Sequence, residues 1–405
     1  MKSKSLPVKK NEEVPFWFNP YSELYKLVYE EVCVTEKTNE KQIISAVIVG
    51  VFEKSRRQED ILFEMQELEE LVEVLGHTCS DRIIQRVDKK NRNFYLGKGK
   101  LQELSEIVKE KEIDYIVCND EITPVQFRQM ITGVRVPVVD RTLIALELFA
   151  RQSSSRESKL QTQIAQMKYL LPRINSISIA KKGMGDRQNG TFFNRGSGES
   201  IYELNQRSIN QKINKLQKEI EKSKNSKNVQ NKKRENTYKV VLIGYTNAGK
   251  TSIMNMLTNN NFEVNNQMFV TTFSRFRRIT TLYGRDILVG DTVGFVSKLP
   301  STWLEGFAST IQDIISADLI LNVIDAGDLF RGFKEKAVME ILTQLKLENK
   351  KIINVYNKMD RLDHSQITLL KNEKSDLGCI FVSAFDTQTM NNLRSEIIER
   401  AKNFV

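Results

Sequence analysis

A glycine-rich loop that follows an apolar stretch offers the clearest chemistry in this sequence. Residues 240–243 run into Gly244-Tyr-Thr-Asn-Ala-Gly-Lys-Thr251, which has the pattern G-x-x-x-x-G-K-[ST]. In such a loop the glycines turn backbone N–H groups toward phosphates, the lysine reaches the β- and γ-phosphates, and the hydroxyl ligates Mg²⁺. The strand before the loop and the helix predicted at 252–257 argue against a chance match. The residues predicted to bind the phosphates are Gly244, Tyr245, Thr246, Asn247, Ala248, Gly249, Lys250 and Thr251.

A second motif follows the apolar strand predicted at 287–291. It reads Asp291-Thr292-Val293-Gly294, which is D-x-x-G. An aspartate at the carboxyl end of a neighbouring strand can hold Mg²⁺ through water. The N–H of the glycine can contact the γ-phosphate and switch the segment that follows. We therefore predict that these four residues also line the nucleotide site.

Two further motifs predict that the base is guanine. A strand at 351–355 leads to Asn357-Lys358-Met359-Asp360, and a strand at 380–384 carries Ser383 and Ala384. An aspartate at this position can accept hydrogen bonds from N1–H and the 2-amino group of guanine, which adenine lacks or presents differently. The backbone of residues 383–385, Ser383-Ala384-Phe385, is expected to touch guanine O6. Each motif alone is weak, but all four, in order and at strand ends, predict a GTP-binding domain.

The same residues indicate hydrolysis by in-line attack of water on the γ-phosphorus. Lys250, Mg²⁺ and backbone N–H groups such as that of Gly294 would stabilise the charge. A threonine before Asp291 should bind Mg²⁺ and the γ-phosphate, and the candidates lie in Phe269-Val270-Thr271-Thr272-Phe273. Residue 295 is phenylalanine, where Ras-like enzymes carry a glutamine that orients the attacking water. We therefore expect slow intrinsic hydrolysis and a partner that completes the site.

Composition sets broad limits on the class of protein. The 405 residues include 61 Lys and Arg against 51 Asp and Glu, and the net charge of +10 favours a polyanionic partner such as nucleic acid. The four cysteines are scattered without a C-x-x-C pair, which argues against a disulfide framework or a cysteine metal site. No apolar stretch is long enough to predict a membrane span, and the first residues do not resemble a signal peptide. We expect a monomeric cytoplasmic protein, with peripheral membrane association left open.

Periodicity predicts an α/β protein with five regions. They are a loosely attached arm at 1–40, a small α/β domain at 41–140, a helical hairpin at 141–222, a linker at 223–236 and a nucleotide-binding domain with a mostly parallel, doubly wound sheet at 237–405. In the α/β domain, strands are predicted at 43–52, 115–118 and 134–139, and helices at 61–75, 101–109 and 124–131, the last capped by Thr123. The hairpin helices are predicted at 141–172, ended by Pro172, and at 199–223.

Two basic loops are candidates for RNA contact. Residues 95–100, Tyr-Leu-Gly-Lys-Gly-Lys, interleave lysines with glycines, and the alternative is a basic surface turn. Residues 181–198 form a glycine-rich basic loop with two adjacent phenylalanines, and the alternative is a mobile hairpin tip. Aromatic rings among cations suit looped or single-stranded RNA. No second phosphate loop is found in the N-terminal region, so a second nucleotide site is not predicted there.

From about residue 43 to 400 the chain resembles the HflX family of ribosome-associated GTPases. The segments that carry the resemblance are 244–251, 291–295 with Leu299-Pro300, 95–100, 140–142, 159–161, 169–173 and 195–199. The resemblance implies an N-terminal α/β domain joined by a helical hairpin to a GTPase domain. It also implies binding to the large ribosomal subunit near the peptidyl-transferase centre, GTP hydrolysis stimulated there, and separation of stalled or idle ribosomes.

The sequence departs from the family pattern in three places. After the glycine-rich loop, Ser197, Asn205 and Gln206 replace a proline, an aspartate and an arginine. The first switch of the family commonly reads F-A-T-L-D-P-T-T-R, which aligns Thr271 with the Mg²⁺-binding threonine but leaves residues 272–275 different. Phe385-Asp-Thr-Gln stands where a lysine and glycines usually follow Ser383-Ala384. The alternatives are a GTP-switched RNA-binding or ribosome-assembly protein, or an antibiotic-resistance-type ribosome rescue protein, with weak or no hydrolysis of its own.

Overall fold

The computed structural model describes residues 44–152, 156–185, 201–231, 237–258, 275–282, 285–292, 294–298, 308–347, 349–374 and 378–402. The chain divides into two compact units. One comprises the residues up to Arg57 together with Leu75–Glu147 and Gln166–Lys212, and the other comprises Gln58–Val74, Leu148–Ala165 and Ile213–Val405. Several predicted features lie outside the described residues, namely the arm at 1–40, most of the loop at 181–198 and the segment 269–273.

A parallel sheet forms the centre of the first unit. Its strands are β1 (Ser45–Glu53), β2 (Thr78–Val87), β3 (Tyr115–Cys118) and β4 (Val138–Asp140), in the order β2-β1-β3-β4. All pairs are parallel, and β1 and β3 are almost continuously buried, as expected for a parallel sheet covered on both faces. The predicted parallel sheet is therefore confirmed. Sequence periodicity did not predict β2, because exposed polar and basic residues occur at alternate positions along this edge strand.

Two helices of the first unit show how local sequence sets their ends. Helix α2 (Lys98–Glu110) begins directly after Gly97, and helix α3 (Pro124–Val134) follows Thr123. Thr123 forms a capping box with Gln126, whose backbone N–H donates to Thr123 Oγ1 at 3.2 Å, and this confirms the predicted N-cap. Because α3 continues to Val134 and ends at a left-handed Arg135, the strand predicted at 134–139 is reduced to β4.

The long helices differ from their predicted bounds. Helix α4 (Arg141–Gln152) and helix α5 (Arg156–Gly185) replace the single helix predicted over 141–172, and helix α6 spans Ile201–Asn231. Pro172 lies inside α5, so the prediction that it ends the helix is wrong; a proline removes one helical hydrogen bond but does not always stop a long helix. Helix α6 continues into the range predicted as a linker, because the Lys, Asn, Gln and Ser residues there include no proline or glycine.

A buried polar cluster holds the amino-terminal turn of α4 and the middle of α5 against the carboxyl edge of the sheet in the first unit. Asp140 Oδ2 accepts from Tyr169 Oη at 2.5 Å and from Arg173 Nη2 at 3.3 Å, while its Oδ1 accepts from the Leu143 N–H at 3.1 Å. Arg173 Nη2 also donates to Ile122 O at 2.7 Å. Burial, with the nearby Asp140 charge as the second cause, raises the pKa of Tyr169 well above its ordinary value, so this phenol remains a donor.

Replacing Asp140 with alanine is expected to lower the unfolding free energy of the first unit by about 3 kcal/mol, because the buried guanidinium of Arg173 loses its buried carboxylate partner and keeps only the half-exposed Glu121 at 3.9 Å. Hydrogen exchange of the β3 and β4 amides measures this change as faster exchange. The control is Asp120→Ala, since Asp120 forms a partly exposed ion pair with Lys90 at 2.8 Å and its loss should cost under about 1 kcal/mol. Equal effects of the two substitutions would contradict the conclusion that Asp140 stabilises the first unit through its buried pairing with Arg173.

The second unit contains a six-stranded sheet. Its strands are β5 (Thr237–Gly244), β6 (Arg275–Leu282), β7 (Arg285–Asp291), β8 (Leu319–Asp325), β9 (Ile352–Asn357) and β10 (Ile380–Phe381), in the order β10-β9-β8-β5-β7-β6. All pairs are parallel except β6 with β7, which is an antiparallel edge pair that the sequence analysis did not predict. The mostly parallel sheet agrees with the predicted fold class. Because β5 lies between β7 and β8, the carboxyl ends of these three strands meet at one edge.

Helices also belong to the second unit, in addition to parts of α4, α5 and α6. They are α1 (Gln58–Val74), α7 (Lys250–Thr258), α8 (Ala308–Ile315), α9 (Arg331–Gln344), α10 (His364–Glu373) and α11 (Thr387–Lys402), with a short 3₁₀ turn at Met359–Arg361. Arg156 Nη2 at the start of α5 lies 3.2 Å from Glu219 Oε2 on α6, as expected for antiparallel helices. Among the described residues, no helix has the length and apolar character needed to cross a membrane.

Candidate functional site

The predicted phosphate loop forms a tight turn between β5 and α7. Gly244 has φ 140° and Gly249 has φ 91°, both in the region that favours glycine. A Cβ at Gly244 would lie 2.2 Å from Val323 O, and a Cβ at Gly249 would lie 2.2 Å from Asn357 Nδ2. Both glycines are therefore required by close packing as well as by backbone conformation, and α7 begins at Lys250 directly after the loop.

Lys250 is buried beneath this loop. Its Nζ donates to Gly244 O at 3.1 Å and to Tyr245 O at 2.7 Å. Burial lowers the pKa of Lys250 to about 8; the Lys358 charge acts in the same direction, and Asp291 acts against it. This position agrees with the prediction that Lys250 contacts a phosphate bound to the loop, and an added negative charge would favour the charged form of the buried amine.

Thr251 and Asp291 form an oxygen-rich pair at the start of α7. Thr251 Oγ1 donates to Asp291 Oδ2 at 2.7 Å, which brings the last residue of the phosphate loop to the end of β7. A hydroxyl and a carboxylate are hard oxygen ligands, and Mg²⁺ in nucleotide sites usually takes one or two protein ligands together with phosphates and water. The residues present therefore fit Mg²⁺. Thr271, the other predicted metal ligand, lies outside the described residues.

The D-x-x-G segment lies against the phosphate loop. Phe295 N–H donates to Gly244 O at 3.0 Å, and Thr246 N–H donates to Phe295 O at 3.0 Å. A Cβ at Gly294 would lie 2.7 Å from Thr246 Cα, so only glycine fits at this approach. The Phe295 side chain is buried, and its ring carries no group that could orient water. Thr292 is buried as well, and its hydroxyl donates to Leu242 O at 2.7 Å, which gives it a structural role in this structure.

The two motifs predicted to bind guanine come together at the end of β9. Asn357 Nδ2 donates to Ala248 O at 3.0 Å, and the Ala384 N–H donates to Asn357 Oδ1 at 3.2 Å. Ser383 Oγ donates to Asp360 Oδ1 at 2.5 Å, while the other side chain of this motif, Lys358, donates to Asn247 O at 2.7 Å. The Asn357 side chain therefore links the phosphate loop to the loop at 383–385. The Asp360 side chain is held by Ser383 of that loop.

Most predicted site residues are thus brought together by the fold. Met359 contributes its backbone, whose N–H donates to Val382 O at 3.3 Å, and Phe385 lies next to Ala384 with its side chain exposed. The predicted residues that lie outside the described ones are Phe269, Val270, Thr271, Thr272, Phe273 and Val293. The roles assigned to those six residues remain predictions.

Sequence reasoning missed a contribution of α1 to this site. Glu67 is only 2% exposed, and its carboxylate accepts hydrogen bonds from Tyr245 Oη, Ser297 Oγ and the Ser297 N–H. Glu64 pairs with Lys298 Nζ at 2.6 Å, and the Phe63 ring stacks on Phe333 at 5.3 Å. A helix distant in sequence therefore contacts both the phosphate loop and the residues after D-x-x-G. The alternation of glutamates with apolar residues in α1 indicated a solvent-facing polar side and gave no signal for this contact.

Comparison with known proteins agrees with the geometry over most of the chain. Family descriptions match residues 63–150 as a GTP-binding GTPase N-terminal region, 152–234 as a GTP-binding GTPase middle region and 239–358 as a 50S ribosome-binding GTPase. A GTPase HflX from Caldanaerobacter subterraneus is 33% identical over 333 residues, which cover 82% of this chain and 76% of that protein. The chain belongs to the HflX GTPase family. The GTPase HflX of Methanocaldococcus jannaschii is 34% identical over 340 residues, covering 83% of this chain and 82% of that protein.

A solved structure from the same comparison is a GTP-binding protein of Sulfolobus solfataricus in complex with GDP. It is 23% identical, has a TM-score of 0.41, and the match covers 88% of this chain and 99% of that one. Membership of the HflX family and the P-loop domain show that the protein is a GTPase, which hydrolyses GTP to GDP and phosphate.

The affinity of this HflX protein for GDP is expected to fall by about five- to tenfold between pH 7 and pH 8.8, because the pKa of Lys250 is about 8 and the neutral amine loses its attraction to the phosphates. Calorimetry in buffers of different ionisation enthalpy should show proton uptake on binding at pH 8.8 and much less at pH 6.5.

Unfolding does not explain such a loss of affinity. Folding lowers the pKa of Lys250 from 10.5, so its contribution to the free energy of unfolding rises as the pH increases from about 8 to 10.5. Circular dichroism at each pH provides the control. An affinity that is constant across this range would contradict the assignment of Lys250 as a buried phosphate ligand with a lowered pKa.

Proposed function

We propose that this protein hydrolyses GTP on the large ribosomal subunit and separates stalled or idle ribosomes into subunits. The observation that carries the proposal is the match of residues 239–358 to a family described as a 50S ribosome-binding GTPase. Similarity to a GTPase HflX protein over 82% of this chain supports it, as do the matches of residues 63–150 and 152–234 to the N-terminal and middle regions of GTP-binding GTPases.

A basic surface in the first unit supports RNA as the partner. The exposed cations between residues 82 and 98 are Arg82, Arg86, Lys89, Lys90, Arg92 and Lys98. Phe94 is exposed among them, and the Gly97 N–H donates to Gln85 Oε1 at 3.0 Å, which ties the loop to β2. Cations bind the phosphates of RNA and an exposed ring can stack on an unpaired base, so this surface fits rRNA better than an acidic protein.

Hydrolysis in this proposal depends on positioning and charge. Lys250 would hold the β- and γ-phosphates, and the Gly294 N–H would contact the γ-phosphate from the other side. Thr251 and Asp291, with Thr271, would hold Mg²⁺, which when bound neutralises charge on the phosphate oxygens. The attacking water needs an orienting group, and the buried Phe295 supplies none. We therefore propose that hydrolysis is slow for the free protein and that the large subunit completes the site.

Charge reversal on the basic surface tests the ribosomal partner. Lys89→Glu, Arg92→Glu and Lys98→Glu combined are expected to weaken co-sedimentation with 50S subunits by about tenfold or more at physiological salt, since each contact with a phosphate adds to the salt-dependent part of binding. GDP affinity should not change, because none of the three belongs to the nucleotide site. Unchanged co-sedimentation of this triple variant would count against the proposed docking surface.

A matched pair of single substitutions separates local contact from net charge. Lys98 and Lys109 are both exposed and lie near opposite ends of α2. Lys98→Glu should weaken 50S binding, whereas Lys109→Glu changes the net charge equally and should have a smaller effect. Light scattering of 70S ribosomes then tests separation into subunits, which should require the protein with GTP and should fail with the triple variant.

The alternative function is a GTP-switched RNA-binding protein with weak or no hydrolysis. The departures in the first switch favour it, because residues 272–275 differ from the family pattern. It predicts that RNA binding depends on the bound nucleotide while turnover remains insensitive to ribosomes.

A further inference from the structure

Thr246 of the phosphate loop carries a buried hydroxyl group that the described part of the chain leaves without a hydrogen bond. The residue is only 4% exposed. Its backbone N–H donates to Phe295 O at 3.0 Å, but Oγ1 has no hydrogen-bond partner among the residues that the structure describes. A buried hydroxyl without a partner destabilises a fold, so its presence calls for an explanation such as a bound ligand, a water molecule or a catalytic role.

The Thr246 side chain lies beside the D-x-x-G segment. Its Cα and its methyl carbon Cγ2 are 2.7 and 2.8 Å from where a Cβ of Gly294 would be. Tyr245 pairs with Phe295 in a parallel β-bridge, which holds this part of the phosphate loop against the end of that segment. Because the N–H of Gly294 is predicted to contact the γ-phosphate, the Thr246 side chain lies toward the γ-phosphate end of the nucleotide site.

Rotation about the Cα–Cβ bond of Thr246 brings the hydroxyl next to Gly294. The substituents of a threonine Cβ occupy staggered positions, so one rotation of about 120° places Oγ1 where Cγ2 now lies. Oγ1 gives up no hydrogen bond to a described residue in this step, so little opposes the rotation. The hydroxyl can therefore turn toward the γ-phosphate without disturbing the loop.

The other threonines described at this site are held by hydrogen bonds. Thr251 Oγ1 donates to Asp291 Oδ2 at 2.7 Å, and Thr292 Oγ1 donates to Leu242 O at 2.7 Å. The ring of Phe295 is apolar and cannot orient water. Among these described side chains, Thr246 therefore has the hydroxyl that is available to a water molecule at the γ-phosphate.

We propose that the Thr246 hydroxyl orients the water that attacks the γ-phosphate, in place of the glutamine that Ras-like enzymes use. A hydroxyl can accept one hydrogen bond and donate another, so Oγ1 accepts from the attacking water and donates its own proton to a γ-phosphate oxygen. One neutral hydroxyl is a weak orienting group, in agreement with the slow hydrolysis predicted for the free protein. The proposal rests on the GTPase activity of the HflX family and not on the ribosomal partner.

The chemical step leaves Thr246 unchanged. The water oxygen forms a bond to the γ-phosphorus, and the bond from that phosphorus to the bridging oxygen breaks, with its electron pair passing to the β-phosphate of GDP. One proton of the water passes to the released phosphate. Thr246 keeps its hydroxyl proton, so its contribution is the position of the water.

Paired substitutions at position 246 test the proposal through the rate. Thr246→Val replaces only the hydroxyl with a methyl group, and it should lower the single-turnover rate of the free protein at saturating GTP about tenfold, as expected for one neutral hydrogen bond. Thr246→Ser keeps the hydroxyl and should hydrolyse GTP within about threefold of the normal rate. The Kd for GDP should be the same in both variants, because GDP lacks the γ-phosphate.

Thermal unfolding without nucleotide separates this role from a structural one. Because the Thr246 hydroxyl is buried without a described partner, Thr246→Val should unfold at the same or a higher temperature than the unchanged protein. The matched control is Thr258→Val on α7, which removes a hydroxyl that donates to Met254 O at 2.8 Å. This control should unfold at a lower temperature and hydrolyse GTP at the normal rate. If Thr246→Val fails to fold, Thr246→Ala and Thr246→Ser provide the same comparison, since both lack the methyl group.

Three results would overturn the proposal. The first is a normal hydrolysis rate in Thr246→Val. The second is a Thr246→Val protein that binds GDP weakly and unfolds at a lower temperature, since the hydroxyl would then have a structural role. The third is an unchanged protein that hydrolyses GTP no faster than Lys250→Ala, because Thr246 would then orient no water. All measurements use the free protein, so failure of the proposed ribosomal function would not alter them.

Discussion

With asparagine in place of Asp360, the protein is expected to lose affinity for GDP by about a hundredfold or more and to gain affinity for xanthosine diphosphate. The carboxylate can accept hydrogen bonds from both N1–H and the 2-amino group of guanine. An asparagine presents one acceptor and one donor, so its amide N–H would face the 2-amino group of guanine. Xanthine carries a carbonyl at that position and can accept from the amide. The substitution therefore replaces one of the two acceptors that guanine needs with a donor, which matches xanthine.

The structure indicates that this substitution leaves the surroundings intact. Asp360 is exposed, and its Oδ1 accepts from Ser383 Oγ, a bond that the oxygen of asparagine can also accept. Titration with GDP and xanthosine diphosphate measures the two affinities. The control is Asp363→Asn, since Asp363 caps α10 through the Gln366 N–H at 2.8 Å and asparagine is also a good N-cap. Guanine preference retained in Asp360→Asn would contradict the assignment of the base site.

The second large effect is expected at Lys250. Lys250→Ala should reduce the single-turnover rate of GTP hydrolysis by about a hundred- to a thousandfold, because one preorganised charged donor to the reacting phosphates is lost. GTP affinity should fall as well, since the β-phosphate also loses the charge. Rapid-quench measurement at saturating GTP separates the loss of rate from the loss of binding.

A lysine elsewhere in the same unit provides the control. Lys336 is exposed on α9, and Lys336→Ala should hydrolyse GTP at the rate of the unchanged protein. Circular dichroism should show that both variants keep their helices. A Lys250→Ala variant that hydrolyses GTP at the normal rate would show that this lysine is not the phosphate ligand.

The nucleotide site is predicted from local sequence because each motif carries its own chemistry, and the fold brings most of the predicted residues together. The phosphate loop needs glycines where the backbone approaches Val323 and Asn357, and those requirements appear directly as the spacing of Gly244 and Gly249. Asp360 and Ser383 are 23 residues apart in sequence, but Asp360 lies shortly after β9 and Ser383 shortly after β10. Since β9 and β10 are parallel neighbours, their carboxyl ends had to meet.

Edge strands were not predictable from periodicity. Strand β2 alternates exposed Arg82, Ile84 and Arg86 with less exposed residues, so it lacks the continuous apolar run of β1. Strand β6, Arg275–Leu282, is rich in arginine and threonine, and its antiparallel pairing with β7 depends on the sheet already present. Whether such a segment forms a strand depends on its pairing with neighbouring strands in the folded sheet and not on its local residue pattern.

The contact of α1 with the site depends on tertiary structure in the same way. Glu64 and Glu67 are buried, although acidic residues in an amphipathic helix usually mark its solvent side. Their partners Lys298 and Ser297 are more than 200 residues away in sequence, at separations of 234 and 230 residues. The helix bounds show a related limit: whether Pro172 ends or only interrupts a helix depends on packing that the sequence does not display.

The most direct test of the proposed function is GTP hydrolysis by the purified protein, alone and with 50S subunits, 30S subunits or 70S ribosomes, with Lys250→Ala as the blank. Slow hydrolysis by the free protein and strong stimulation by 50S subunits or 70S ribosomes, with little from 30S subunits, is the expected result. Tight GTP binding with no stimulation by any ribosomal particle would contradict it. In that case the protein would act as a nucleotide-controlled RNA-binding protein.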